Sequence, residues 1–309
     1  MKIKNIYLLI LLASLWGPSF LFIKIAVEEV PPVMLAALRI GIAAIILNLI
    51  LLIQKRHLPL SLDFWKKTMI AGFFAQGLPF VLINWGEQYV DSSLASVING
   101  LMPLFTIIFA HFMIAEEQIT NRKLFGIALG FIGLLVLVMP GFRMSSGGNF
   151  LGIMSIILAT VSYGIGLTFI RKYFAKTSSI KAPAAQLLSV SIYLIPLAVL
   201  LYPNFEITSL SMPAVGSVLM LTVFGTAIAF IIYFKLIEQS SATYASLVTY
   251  LMPIYGVVLG TIFLEEKVST WMLLGTVLIL VGIRVTKKPN SLKRSIAFNI
   301  DQALYSKFR

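Results

Sequence analysis

The chain is 309 residues long, 59% hydrophobic and only 12% charged, with a mean hydropathy of +0.96 and a formal net charge of +12. A soluble protein carries about a quarter of its residues charged, so half that share leaves too little polar surface for a water-exposed globule and places the chain in lipid. With no cysteine and only His57 and His111, disulfides, thiolate nucleophiles and histidine-rich zinc sites are excluded, and no H-E-x-x-H, G-x-S-x-G or G-x-x-x-x-G-K string supplies catalytic machinery.

An α-helix needs about 20 apolar residues to cross roughly 30 Å of hydrocarbon. Charged or proline-rich breaks divide the chain into ten such segments: residues 6–27, 33–53, 68–85, 92–114, 124–139, 150–170, 183–201, 214–236, 242–264 and 268–286. The prediction is an all-α integral membrane protein of ten transmembrane helices. Lys2 and Lys4 before the first segment suggest a signal peptide, but the segment exceeds a typical apolar signal region. It also runs through Trp16, Gly17 and Pro18 rather than an A-x-A site, so it reads as the first span.

Within that span, Trp16 lies ~15 Å into the helix, too deep for an interfacial belt. Pro18 frees the carbonyl of Ser14. Lys24 lies toward the outer end, one turn before Glu28, and reads as snorkelling. In the second span Arg39 sits ~10 Å below the outer surface and needs a partner. A salt bridge to Glu28, Glu29, Glu87 or Asp91 and an anion-attracting role both satisfy it. In the third, the deep amide Gln76 either joins helices or reads a polar substrate. In the fourth, residues 93–103 (SLASVINGLMP) place Pro103 near mid-span, freeing the carbonyl of Asn99; His111 follows near the inner surface and reads as interfacial rather than as a proton relay. Tyr163 in the sixth span matches Trp16. In the ninth, residues 243–253 (TYASLVTYLMP) place Pro253 at mid-span, freeing the carbonyl of Thr249 beside Tyr250. Residues 290–309 form a basic tail in which Leu292, Ile296, Ile300 and Leu304 are spaced as in an amphipathic helix.

Placing the N-terminus in the cytoplasm leaves Arg143 and Lys267 outside and Lys24 and Arg39 toward the outer ends of their helices, with every other lysine and arginine inside. By the positive-inside rule both termini are then cytoplasmic, in a multi-pass protein of the cytoplasmic membrane. The positive charge is a topology signal and implies no nucleic-acid partner.

The chain also repeats itself. Ala95, Ser96, Leu101, Met102 and Pro103 recur as Ala245, Ser246, Leu251, Met252 and Pro253, and Glu116, Glu117, Gly126 and Gly133 recur as Glu265, Glu266, Gly275 and Gly282. Residues 1–140 form a first five-helix repeat, 141–147 an external linker, 148–289 a second repeat and 290–309 a cytoplasmic tail. Five is odd, so the second copy enters the membrane inverted. Accordingly, Arg122 and Lys123 of the inner loop give way to Trp271 and Met272 in its outer copy.

Two five-helix repeats, Trp16-Gly17 with Phe20 and Lys24, Pro31-Pro32 with Arg39, and the duplicated A-S-x-x-x-x-L-M-P and E-E-x-[IV]-[TS] strings resemble the EamA family of the drug/metabolite transporter superfamily. The resemblance implies a cavity lined mainly by spans 1, 3, 4, 6, 8 and 9, with spans 5 and 10 peripheral. It implies a carrier and leaves the substrate open, since members export amino acids, take up metabolites or move drugs. The expected activity is alternating-access transport of a small organic solute, an amino acid or related metabolite, with export favoured. The alternatives are a flippase-like carrier of lipid- or nucleotide-linked sugars and a membrane-embedded enzyme. The enzyme would need acids, histidines or a serine with its base at one depth, whereas all acids fall at helix ends, in loops or in the tail. The expected substrate wall comprises Trp16, Gln76, Asn99, Pro103, Tyr163, Thr249, Tyr250 and Pro253, with Lys24 and Arg39 as gate or charge-pair residues. The implied partners are the small-molecule substrate and the bilayer, with no cofactor or metal.

Overall fold

A computed structural model describes residues 3–115, 118–143, 147–174, 177–178, 180–239, 248 and 251–286. Among the described residues there is helix and no strand. α1 (Ile3–Trp16) stops at Gly17 and Pro18 and resumes as α2 (Ser19–Ala26), because Pro18 has no N–H with which to continue the ladder. α3 (Pro32–Ile53) begins with proline in its first turn, where a missing N–H costs nothing. α4 (Leu62–Gly72) is capped by Ser61 Oγ, which accepts from Phe64 N at 3.4 Å. It passes through a π-helical turn, Phe73–Gly77, into α5 (Leu78–Gly86). This helix starts earlier than the predicted residue 68, since Ser61 caps a mixed first turn carrying Asp63, Lys66 and Lys67 that hydropathy alone rejects. α6 (Ser92–Asn99) and α7 (Met102–Met113) are separated by a break at Gly100 and Leu101, and α8 (Asn121–Arg143) follows.

The remaining elements are α9 (Gly147–Phe174), α10 (Lys181–Leu201), α11 (Met212–Leu219), a second π-helical stretch Met220–Ile228, α12 (Ala229–Gln239), α13 (Met252–Phe263) and α14 (Thr270–Thr286). Seven helical spans among the described residues, two of them with the breaks just named, are long and apolar enough to cross a membrane: Asn5–Ala26, Pro32–Ile53, Leu62–Gly86, Ser92–Met113, Asn149–Phe174, Lys181–Leu201 and Met212–Leu236. Met252–Phe263 and Thr270–Gly282 are shorter apolar helices. The protein is a multi-pass membrane protein, and large side chains such as Ile53 (80% exposed) and Leu200 (78%) face outward, as a lipid-facing surface requires.

The packing is crossed. α1 and α2 lie against α12 and α11, α9 lies against α5, α6 and α7, and α3 lies along α10. In lipid, where apolar burial drives little helix association, close contact depends on small residues. α13 rests on α6 through Gly256 and Gly260, where an added Cβ would fall 2.1 Å from Ser96 Oγ and 2.5 Å from Ser93 Oγ respectively. α8 and α14 pack chiefly on each other, backbone to backbone: a Cβ on Gly133 would lie 2.8 Å from the Gly275 carbonyl, and one on Gly282 would lie 2.6 Å from that of Gly126. Helices 5 and 10 of the sequence reading are thus one pair. The buried core centres on Leu35, Ile40, Leu47, Ile98, Leu104, Ile156 and Leu187.

Candidate functional site

A π-helical turn misaligns the backbone ladder and leaves carbonyls for other donors. In the Met220–Ile228 stretch the Gly225 carbonyl accepts from Trp16 Nε1 at 3.1 Å and from Arg39 Nη2 at 3.3 Å, two donors from the first half of the chain. Thr226 Oγ1 donates to the Leu221 carbonyl at 2.8 Å and accepts from Arg39 Nε at 2.7 Å. The other π-helical turn carries Gln76, whose Nε2 donates to Gln186 Oε1 at 3.2 Å. Gln186 stands 147 residues after Arg39 and Thr226 stands 150 after Gln76, so the two bonds are repeat-related and each crosses from one half to the other.

These crossed contacts frame a cavity lined by Trp16, Ser19, Phe20, Ile23, Arg39, Ala75, Gln76, Phe80, Ile83, Asn99, Met102, Tyr163, Leu167, Ile170, Phe230, Tyr233, Val248 and Met252. It leaves about 80 Å³ for the centres of water-sized molecules, where one water needs about 10–15 Å³. The cavity therefore has room for a compact organic solute. Its walls are largely apolar and include an aromatic cluster: the Trp16 ring meets Tyr233 at 5.1 Å and Phe230 at 6.0 Å between centroids. The Arg39 guanidinium lies 4.0 Å above the centre of Phe80. Two lining residues, Gln76 and Asn99, carry buried amide oxygens, Oε1 and Oδ1, with no hydrogen-bond partner among the described residues.

Of the residues singled out from the sequence, Trp16, Gln76, Asn99, Tyr163 and Arg39 lie together on this wall. Pro103 and Pro253 stand beside it. Each follows a lining methionine in the first turn of α7 or α13, and Pro253 Cγ would be 3.3 Å from a Cβ on Gly100, so the two helix breaks touch. Thr249, Tyr250 and the tail 290–309 lie outside the described residues. Lys24 is off the wall: its Nζ donates to the carbonyls of Glu87 at 2.7 Å and Val90 at 2.8 Å, which end α5, rather than snorkelling free. Arg39 makes no salt bridge with Glu28, Glu29, Glu87 or Asp91; the one ion pair among the described residues joins Lys67 and Asp63. His111 Nδ1 accepts from Ile119 N at 3.3 Å at the end of α7. Phe230, Tyr233, Met102 and Met252 were not singled out, because they occupy spans apolar on every side, where no periodicity distinguishes a cavity face from a lipid face.

Two carboxylates tie the halves together at the ends of helices. Glu266 accepts from Ser92 N at 2.7 Å, Ser93 N at 2.9 Å and Ser93 Oγ, covering the free N–H groups at the start of α6. Glu29 accepts from Ser211 N at 2.8 Å and from Ser211 Oγ just before α11. Those bonds hold its carboxyl below the usual range. Glu87, immediately after α5, sits at a helix end as the sequence places it, yet it is fully buried and neither oxygen has a hydrogen-bond partner among the described residues. Burial pushes its carboxyl well above the usual range and Glu266 adds to this, against the opposing charges of Lys24 and Arg39.

The sequence profile of the EamA-like transporter family matches residues 4–139 and 150–287. An uncharacterized transporter of Archaeoglobus fulgidus is 28% identical over 285 residues, covering 91% of this chain and 98% of its own. The uncharacterized transporter YoaV of Bacillus subtilis is 27% identical, covering 87% and 91%. A solved crystal structure, 18% identical, superposes with a TM-score of 0.66 over 93% of this chain and 98% of that one, which shows a shared fold. With membrane-spanning helices, a central cavity and a profile covering nearly its whole length, the chain belongs to the EamA-like transporter family.

Proposed function

We propose that the chain is an inverted 5+5 carrier of ten spans in the cytoplasmic membrane with both termini in the cytoplasm. Its repeats cover residues 1–140 and 148–289. It moves a small organic solute, an amino acid or related metabolite, by alternating access, with export favoured on the family resemblance alone. The observation that carries this reading is the cavity between the halves, framed by the repeat-related bonds from Arg39 to Thr226 and from Gln76 to Gln186. A site built from both halves changes its exposure when one rocks against the other, which is how inverted repeats exchange inward-open and outward-open shapes. Glu266 supports the same reading, since it latches the start of α6 from the loop before α14 and gives one end of the cavity a closure that can break as a unit.

The test is reconstitution into liposomes with a mixture of metabolites on one side and mass analysis of what crosses. A solute carried above the rate of protein-free vesicles, and countertransported when preloaded on the far side, is the expected result. If nothing in the mixture crosses by a saturable route, the carrier reading fails.

A further inference from the structure

We infer that the cavity takes its solute by a single carboxylate, held end-on by Arg39, and that this solute also carries an N–H or O–H donor and an apolar body. The inference rests on the carrier reading and names its substrate class. Arg39 is 4% exposed and lies on the cavity wall. A guanidinium has five N–H donors; Arg39 spends its Nε–H on Thr226 Oγ1 and one Nη2–H on the Gly225 carbonyl, which uses the side-on fork. The end-on pair of Nη1 and Nη2 has no protein acceptor among the described residues. Phe80 covers one side of the guanidinium. A buried cation without a counter-ion is costly, and a carboxylate accepting two parallel N–H bonds would relieve that cost.

The rest of the wall defines the rest of the solute. Gln76 and Asn99 line the cavity, and their buried Oε1 and Oδ1 have no partner among the described residues; a turn of either side chain would offer that oxygen to an ammonium or hydroxyl. Trp16, Phe230 and Tyr233 offer ring faces to an apolar group. Among the described residues no acid lines the cavity, so a strongly cationic solute finds no partner there. Lys24, one turn of chain beyond the lining residue Phe20 and next to Ile23, is committed to two backbone carbonyls away from the wall. A doubly charged phosphate would want more than one cation; a monocarboxylate is matched by Arg39 alone.

The test uses the full chain, purified, with thermal unfolding read against a panel of L-leucine, L-phenylalanine and L-phenyllactate, each paired with its carboxamide. Acids should raise the midpoint while their amides do not, and Arg39→Gln should lose the response, with at least about tenfold more acid needed for half the shift. Arg39→Lys, which keeps the charge but not the fork, should fall between them. Without ligand, Arg39→Gln should unfold at the same temperature as the parent or higher, because it removes an uncompensated charge. A lower ligand-free midpoint together with an unchanged response to acid, or equal responses to acids and amides, overturns the inference, as does a panel in which no acid acts. Counterflow in proteoliposomes separates the two readings. A neutral or cationic solute crossing equally well with Arg39→Gln leaves a carrier without this anchor, while acid-specific stabilisation with no solute movement leaves the anchor in a protein that is not a carrier.

Discussion

At Asn99 an amide sits 4% exposed with its Oδ1 unpartnered, and an orphaned buried polar atom costs about 1–3 kcal/mol. Packing alone favours leucine at such a position, and the carrier reading proposed above assigns the amide to the solute that enters the cavity. Asn99→Leu is expected to leave the ligand-free unfolding midpoint unchanged or raise it by the equivalent of ~1 kcal/mol, while weakening the response to solutes that carry a donor. A large fall in the midpoint would return Asn99 to a packing role. This residue was legible from sequence because Pro103 stands four positions later and marks a freed carbonyl. The partners of Arg39 were not legible. Its depth showed that it needed one, but Thr226 and Gly225 are 187 and 186 residues away in sequence and are presented by a π-helical stretch that no local pattern announces.

Helix breaks and helix ends carry the next level of constraint. Pro103 occupies the first turn of α7, after Gly100 N has turned back to the Ser96 and Val97 carbonyls. Restoring its N–H would favour one continuous helix through residues 92–113 and move the Asn99 amide. Pro103→Ala should therefore change transport rate or half-saturation severalfold, whereas Pro196→Ala, in the exposed interior of α10, should stabilise its helix by up to ~3 kcal/mol with kinetics intact. Equal kinetic effects of the two substitutions would mean that the break near Asn99 is incidental. The end of α5 makes a pH prediction. Burial raises the Glu87 carboxyl above its unfolded value near ~4.3, so the folded state binds the proton more tightly. Stability from this group is full below the unfolded value and is lost as pH rises toward the raised folded value. Glu87→Gln imitates the protonated form, so its unfolding midpoint should gain on the parent as pH rises from about 5. A variant that instead loses ground with rising pH would show an ionised Glu87 stabilised by Lys24.

Over the whole molecule, most of the architecture was written in hydropathy and in the repeat. Within the described residues the apolar runs recur as helices, the tryptophan-glycine-proline string breaks the first one, and duplicated glycines 126, 133, 275 and 282 become the backbone contacts between α8 and α14. The crossing of the halves was not written there, because hydropathy says which residues leave water and not which helix they meet. What the proposed inversion adds is a difference in side. Thr120 and Ser269 are equivalent in the repeat, both exposed, and each caps the start of its helix, Thr120 Oγ1 accepting from Lys123 N at 3.4 Å and Ser269 Oγ from Met272 N at 3.1 Å. Local structure thus treats them alike, yet an odd number of spans per repeat must set them on opposite faces. The chain has no cysteine, so Thr120→Cys and Ser269→Cys give single thiols for a membrane-impermeant reagent applied to intact cells and to inverted vesicles. Ser269→Cys should react in cells and Thr120→Cys in inverted vesicles, each by about an order of magnitude over the reverse side, since a charged reagent does not cross ~30 Å of hydrocarbon. Reaction of both from one face would leave the repeat parallel rather than inverted, and five spans in each half could not then hold.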